Sequence, residues 1–137
     1  MKKRVVIDTG FFFIYFSGLN DRAKELMIEI YNGSSLAMTT DLNLTEFFYN
    51  YSKIKGAEAS KVKTSLILGS PIKVVPTDKD LALRAGQLKV QSSFLSIVDC
   101  YVISLAEREG AKIYTTDSGI KKVYANTVLL LEDSEPR

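Results

Sequence analysis

Arg4-Val5-Val6-Ile7-Asp8-Thr9-Gly10 is the stretch from which the rest of the chain is read. Three β-branched residues run without polar interruption into an aspartate. An unbroken apolar run, rather than alternation, marks a strand buried on both faces, as in parallel sheets covered by helices. Asp8 ends that strand where an unpaired charge is costly, so it is the hardest acid in the chain to explain as ornament. Thr9-Gly10 reads as the opening of a turn.

Outward from this strand the pattern alternates. Ala23, Leu26, Met27, Ile30 and Tyr31 have helical spacing, with Asp21 as the expected cap and Asn32-Gly33 as the stop. Ser35 to Thr39 reads as a second strand. Asp41 stands where an N-cap belongs, before a helix bearing Leu44, Phe47, Phe48 and Tyr51. Gly56 breaks that helix, and a weaker pattern (Ala59, Val62, Leu66) runs to Gly69-Ser70-Pro71. Ile72 to Val75 is a third strand. Thr77 is the expected cap of a helix with Leu81, Ala82, Ala85 and Leu88, and Asp80 completes a capping-box pattern. Ser96 starts a helix carrying Val98, Tyr101, Val102 and Leu105, stopped by Gly110. Lys112 to Thr115 and Thr127 to Leu131 are the fourth and fifth strands, and Glu132 to Arg137 is a polar tail expected to fray. Strands alternating with helices, without hairpin signals, predict an open parallel α/β sheet with helices on both faces.

Composition narrows the chemistry. A length of 137 residues leaves room for one domain, and 46% hydrophobic with 25% charged residues supports a packed core. There is no histidine, which excludes Ser-His-Asp and Cys-His triads and every histidine-ligated metal. Cys100 stands alone, so neither an internal disulfide nor a thiolate zinc cluster can form, and a reducing compartment is expected. Lys2-Lys3-Arg4 resembles the start of a signal peptide, but Asp8 interrupts the apolar segment and no cleavage site follows. The longest apolar run, Phe11 to Phe16, falls far short of the roughly 20 residues a bilayer span needs. A cytoplasmic, soluble protein with no membrane contact is expected.

Ligands of open parallel sheets bind beyond the carboxyl ends of the strands. Asp8 lies there after the first strand, Asp41 and Glu46 after the second, and Asp117 after the fourth, while Asp99 is in the first turn of the helix feeding that strand. Neighbouring carboxylates repel and raise one another's pKa unless a cation intervenes, and an oxygen-seeking Mg²⁺ or Mn²⁺ resolves that repulsion. Such a site suits metal-assisted phosphodiester hydrolysis. Each acid also has a structural reading. Ser96 to Asp99 forms a capping box, Asp117 can cap a short helix from Ser118 to Val123, and Asp41 is better explained as an N-cap than as a ligand.

With these residues in view, the chain resembles the PIN-domain nucleases, and among them the VapC-like toxins of toxin–antitoxin pairs. The most specific segment is Ser96-Ile97-Val98-Asp99-Cys100-Tyr101-Val102-Ile103-Ser104-Leu105-Ala106, followed by Gly110-Ala111-Lys112-Ile113-Tyr114-Thr115-Thr116-Asp117. Val6-Ile7-Asp8-Thr9 and Leu44-Thr45-Glu46-Phe47 complete the likeness, which runs from Val5 to about Leu131. It implies a single PIN domain over residues 1–137, with a three-layer α/β/α fold and a five-stranded parallel sheet. It implies a quartet of Asp8, Glu46, Asp99 and Asp117 holding Mg²⁺ or Mn²⁺, and settles the choice between Asp41 and Glu46 for Glu46. Thr9 and Thr116 would orient the carboxylates. The implied activity is endonucleolytic cleavage of single-stranded RNA, held silent by a cognate antitoxin. The rivals are a PIN domain in RNA processing and a PIN-like module that binds RNA or protein without cleaving.

Two positions depart from the family pattern, Gly10 where Ser or Asn is usual and Gly119 where many relatives carry a further acid. Lys121 and Lys122 lie close in sequence to Asp117 and read as contacts for an RNA backbone. Lys53, Lys55, Lys61 and Lys63 read equally well as such a track or as a solvated face. The rings of Phe11-Phe12-Phe13 and of Phe47, Phe48, Tyr49 and Tyr51 are expected mostly in the core, with some left for a homodimer interface or an antitoxin helix.

Overall fold

Val5, Val6 and Ile7 are wholly buried in the computed structural model, which describes residues 2–131, and they form the middle of its sheet. The elements follow in the order β1 (Lys3–Ile7), α1 (Thr9–Phe16), α2 (Asp21–Tyr31), β2 (Ser35–Thr40), α3 (Asp41–Lys55), α4 (Ala57–Leu68), β3 (Lys73–Val75), α5 (Lys79–Gln91), α6 (Ile97–Glu109), β4 (Lys112–Thr115), α7 (Ser118–Val123) and β5 (Thr127–Leu129). The five strands are all parallel, in the order β3-β2-β1-β4-β5. The expected tail, Glu132 to Arg137, lies outside the described residues.

Strand alternation sorts the core into two sheets of packing. Val5, Ile7 and Ala37 face the side covered by α1 to α4, with Phe11, Phe12, Leu26, Ile30, Phe47 and Ile67. Val6, Met38, Val75 and Ile113 face α5 to α7, with Leu81, Leu88, Ile103, Leu105 and Ile120. Three layers result, as expected. Among the described residues, no helix is long and apolar enough to cross a membrane.

Several local expectations are corrected. Thr9-Gly10 is not a turn but the first turn of α1, whose residues are apolar on every side and so carry no periodicity to read. Its rings pack against α3: Phe12 and Phe47 meet edge to face at 5.8 Å, and Phe13 lies 5.2 Å from the same Phe47 ring. Three caps fall one residue from their expected places. Asn20, not Asp21, caps α2 through the Ala23 N–H; Thr40, not Asp41, caps α3 in a capping box with Asn43; Asp78, not Thr77, caps α5 through the Leu81 N–H. Ser96 with Asp99, Gly110 at φ 61°, and Asp117 before α7 stand where they were expected.

The chain fills one half of the sheet, β1 to β3, before crossing to β4 and β5 on the other side of β1. The strand order therefore reverses between β1 and β4, and the crevice beyond their carboxyl ends is the place where such sheets bind ligands. Asp8 follows the first of these strands, and Asp117 lies just past the second.

Candidate active site

The backbone N–H of Asp8 still donates to Tyr114 O at 3.0 Å, one step beyond the paired register of β1 with β4. Its side chain is buried, at 6% exposure. Although Asp8 stands at the N-cap position of α1, its carboxylate does not cap the helix. Two neutral side chains hold it instead. Thr115 donates its hydroxyl to Oδ2 at 2.6 Å and accepts the Asp117 N–H at 2.9 Å, so one hydroxyl ties the two acid-bearing segments together. Asn43 donates Nδ2 to Asp8 Oδ1 at 3.2 Å and to Thr9 Oγ1 at 2.9 Å. The amide can face only one way, because its Oδ1 accepts from the Thr40 N–H and hydroxyl at 3.3 and 2.6 Å.

Among the described residues, no lysine or arginine forms an ion pair with Asp8, Glu46, Asp99 or Asp117. Burial pushes the Asp8 pKa up to about 6, and the charges of Asp99 and Glu46 push the same way, against hydrogen bonds from Thr115 and the Thr9 backbone. Asp99 is also raised, first by burial and then by Asp117, while its bonds with Ser96 pull it down. Asp99 is thus both a neighbour of these acids and the third residue of α6, exchanging 3.0 Å hydrogen bonds with Ser96 in both directions. Asp117 caps α7 by accepting the Gly119 N–H at 2.8 Å. Glu46 is half-buried, one turn beyond Asn43 on α3.

Among the described residues, no three acidic or cysteine side chains converge closely enough to enclose an ion. What the fold assembles is an electrostatic chain, Glu46 to Asp8 to Asp99 to Asp117, in which charges raise the pKa values of Asp8 and Asp99. Oxygen donors that repel one another, with no lysine or arginine among the described residues paired to them, are the donor set a hard divalent ion fits.

A PIN-domain family model matches residues 5–126, from within β1 to the residue before β5. This chain belongs to the PIN domain family. A search of curated proteins finds no match. Solved structures share the fold at low identity. The VapC20 toxin of Mycobacterium tuberculosis, described as cleaving the sarcin–ricin loop, is 19% identical with a TM-score of 0.72, over 88% of this chain and 95% of that one. VapBC2 of Rickettsia felis, solved on a DNA fragment of its promoter, is 17% identical with a TM-score of 0.74, over 92% and 96%. A toxin–antitoxin complex from Klebsiella pneumoniae is 16% identical with a TM-score of 0.70, over 93% and 98%.

In this PIN domain the small polar groups are not all where the sequence suggests. Thr9 is buried and bonded to Asn43, but Thr116 is exposed, and it is Thr115 that touches Asp8. Thr115 was legible from register: in parallel strands Ile7 pairs with Tyr114, so the next residues, Asp8 and Thr115, are neighbours. Asn43 has no capping position if Asp41 is the cap; with Thr40 in that place it falls at the reciprocal position of the capping box. Asp41 instead accepts the Thr77 N–H at 3.3 Å, and its Oδ1 is buried without a partner.

Both departures from the family pattern have local causes. A side chain at position 10 would overlap the Thr116 hydroxyl, which occupies that space. A Cβ at position 119 would come within 3.1 Å of Asp117 Oδ1. Lys121 donates to Thr127 O at 2.6 Å and so ties α7 to β5, while Lys122 beside it is exposed. In the other lysine group, Lys53 lies over the Tyr49 ring, Lys61 pairs with Glu58 and Lys63 lies over Phe16.

Proposed function

We propose that this PIN domain is a metal-dependent endoribonuclease that cleaves single-stranded RNA, with Asp8, Glu46, Asp99 and Asp117 as the residues that hold Mg²⁺ or Mn²⁺. The observation that carries the reading is Asp8: a buried carboxylate with no cation partner among the described residues, flanked by further acids, at the point where the strand order reverses. Membership of a family resembling nucleases supports it, as does the absence of histidine, which this chemistry does not require.

Thr115 and Asn43 fix the two oxygens of Asp8 so that its charge points in one direction. Asp99 and Asp117 stand at helix N-termini, where the backbone favours negative charge. Glu46 or Asp117, both half-buried, would take the proton of the attacking water. A divalent ion in such a site supplies polarisation of the phosphate and a lowered pKa for water.

The partner in this reading is an antitoxin, since the VapBC and toxin–antitoxin structures that share the fold are complexes. A groove of about 600 Å³ lined by Leu44, Phe48, Tyr49 and Lys53, with Thr64 on its α4 side, has the apolar character an amphipathic helix would cover. A homodimer, in the cytoplasm, completes the proposal.

The test is cleavage of a mixed single-stranded RNA by the purified protein with Mn²⁺ or Mg²⁺. Activity should disappear on chelation and in Asp8→Asn. Cleavage that persists in Asp8→Asn would overturn the assignment, and Mn²⁺ binding without cleavage of any RNA would favour the binding module.

A further inference from the structure

The segment between α5 and α6 presents an aromatic ring to solvent beside the acids. Phe94 is 61% exposed, although it is among the largest apolar side chains in the protein. The ring is not there through looseness of the chain around it. Lys89 donates its ammonium to the carbonyls of both neighbours, Ser93 at 2.8 Å and Leu95 at 2.5 Å. The Leu95 N–H closes a turn onto Ser92 O at 3.0 Å, and the Leu95 side chain is anchored in the core at 1% exposure. A buried anchor and a lysine clamp thus hold the backbone on both sides of a residue whose own side chain is left outside.

The position of the ring gives this arrangement a purpose. Its edge carbons Cδ2 and Cε2 lie 3.6 Å from the point where a Cβ on residue 119 would stand, and Asp117 Oδ1 lies 3.1 Å from the same point. Ring and carboxylate therefore flank one small gap, which Gly119 keeps open. A base and its phosphate are joined through a single ribose, so a flat apolar surface at this distance from the acids suits a base whose phosphate lies among them. Aromatic rings hold the bases of single strands in this way, with little regard to sequence, because every base has a π face.

We propose that Phe94 is a stacking platform for a nucleobase of the single-stranded substrate, next to the phosphate that is cleaved. The proposal rests on the nuclease reading and adds a substrate-binding residue to it. A preset ring loses little freedom on binding, and the same ring cannot accept a paired base without opening the duplex, so it also favours single strands over double-stranded RNA.

The experiment compares wild type, Phe94→Ala and Phe94→Trp on one single-stranded RNA oligonucleotide. Phe94→Ala should raise KM about tenfold while kcat changes less than about twofold, and Phe94→Trp should restore KM. In parallel, an oligonucleotide carrying 2-aminopurine is titrated with each protein in Ca²⁺. Its fluorescence should be quenched on binding to wild type and Phe94→Trp, and much less with Phe94→Ala.

An unchanged KM with unchanged quenching in Phe94→Ala overturns the platform and leaves the nuclease reading standing. Quenching that depends on Phe94 in a protein that cleaves no RNA sustains the platform and removes the nuclease. If Phe94→Ala changes only the oligomeric state, by sedimentation, while RNA binding stays the same, the ring belongs to a protein interface and the proposal fails. Absence of any RNA binding by wild type overturns both.

Discussion

Asp8 and the pair Asp99–Asp117 occupy equivalent local positions and do different work. Each stands at the first turn of a helix. Asp99 and Asp117 spend an oxygen on backbone N–H groups, as the capping box of α6 and the cap of α7. Asp8 precedes α1 and caps nothing; its oxygens face Thr115 and Asn43, inside the protein, and its pKa is pushed up to about 6. Burial opposes the charge of both Asp8 and Asp99, but Asp99 and Asp117 also stabilise the helices that carry them, whereas Asp8 caps no helix. A capping role and a site role are thus compatible in one residue, and the acid that caps no helix is the one that most directly marks the site.

The contrast can be broken most sharply by substitution. Asp8→Asn should lower RNA cleavage by about a thousandfold, the loss of several kcal/mol of transition-state stabilisation, while the metal-free protein unfolds no more easily in urea. A drop in stability of comparable size would place Asp8 with the caps.

The next effect is a pH dependence. The folded protein holds the Asp8 proton up to about pH 6, whereas the unfolded chain releases it near 3.8, the ordinary value for an aspartate. Between those values the native state binds more protons, so stability falls as pH rises through the window and is lowest, for this group, above it. The metal-free protein should lose on the order of 2–3 kcal/mol between pH 4 and pH 7, most of it absent in Asp8→Asn. Denaturation curves of both proteins at the two pH values decide this.

Thr115→Val removes a donor from a buried carboxylate and an acceptor from the Asp117 N–H. It should cost about 2 kcal/mol of stability, with Thr115→Ser close to wild type. Equal loss in both variants would mean that the methyl group, not the hydroxyl, matters.

The smallest effect separates the two duties of Asp99. Asp99→Ala should cost about 1 kcal/mol through the lost capping box, and Asp99→Asn only a few tenths, since the amide oxygen still accepts. Both should abolish most RNA cleavage. An active, unstable Asp99→Ala would make this residue a cap only.

The periodic elements were the legible ones. Val5 to Ile7 could be read as a central strand because burial on both faces leaves no polar residue, and Gly110 and Ser96 punctuate α6 through their own chemistry. The helix α1 was not legible, since a segment buried all round has no apolar face to detect. The caps fall one residue from their expected places at Asn20-Asp21, Thr40-Asp41 and Thr77-Asp78, where two adjoining polar residues can each accept an N–H of the first turn. The acids themselves were visible as residues at strand ends. Of their supports, Thr115 follows from register once β1 is paired with β4, whereas Asn43 depends on the true start of α3, which is three-dimensional information. Asp41 shows the cost of that gap: its place in the sequence suggests a cap, whereas its carboxylate accepts the Thr77 N–H and leaves one oxygen without a partner among the described residues.

If these acids form one cation-holding centre organised around Asp8, the protein binds Mn²⁺ through it. Titration followed by electron paramagnetic resonance at pH 7 should show saturable binding to the wild-type protein, with a matching rise in Tm. Binding and rise should both vanish in an Asp8→Asn protein that is otherwise folded. Equal Mn²⁺ binding by the two proteins, or none by the wild type, would contradict the account.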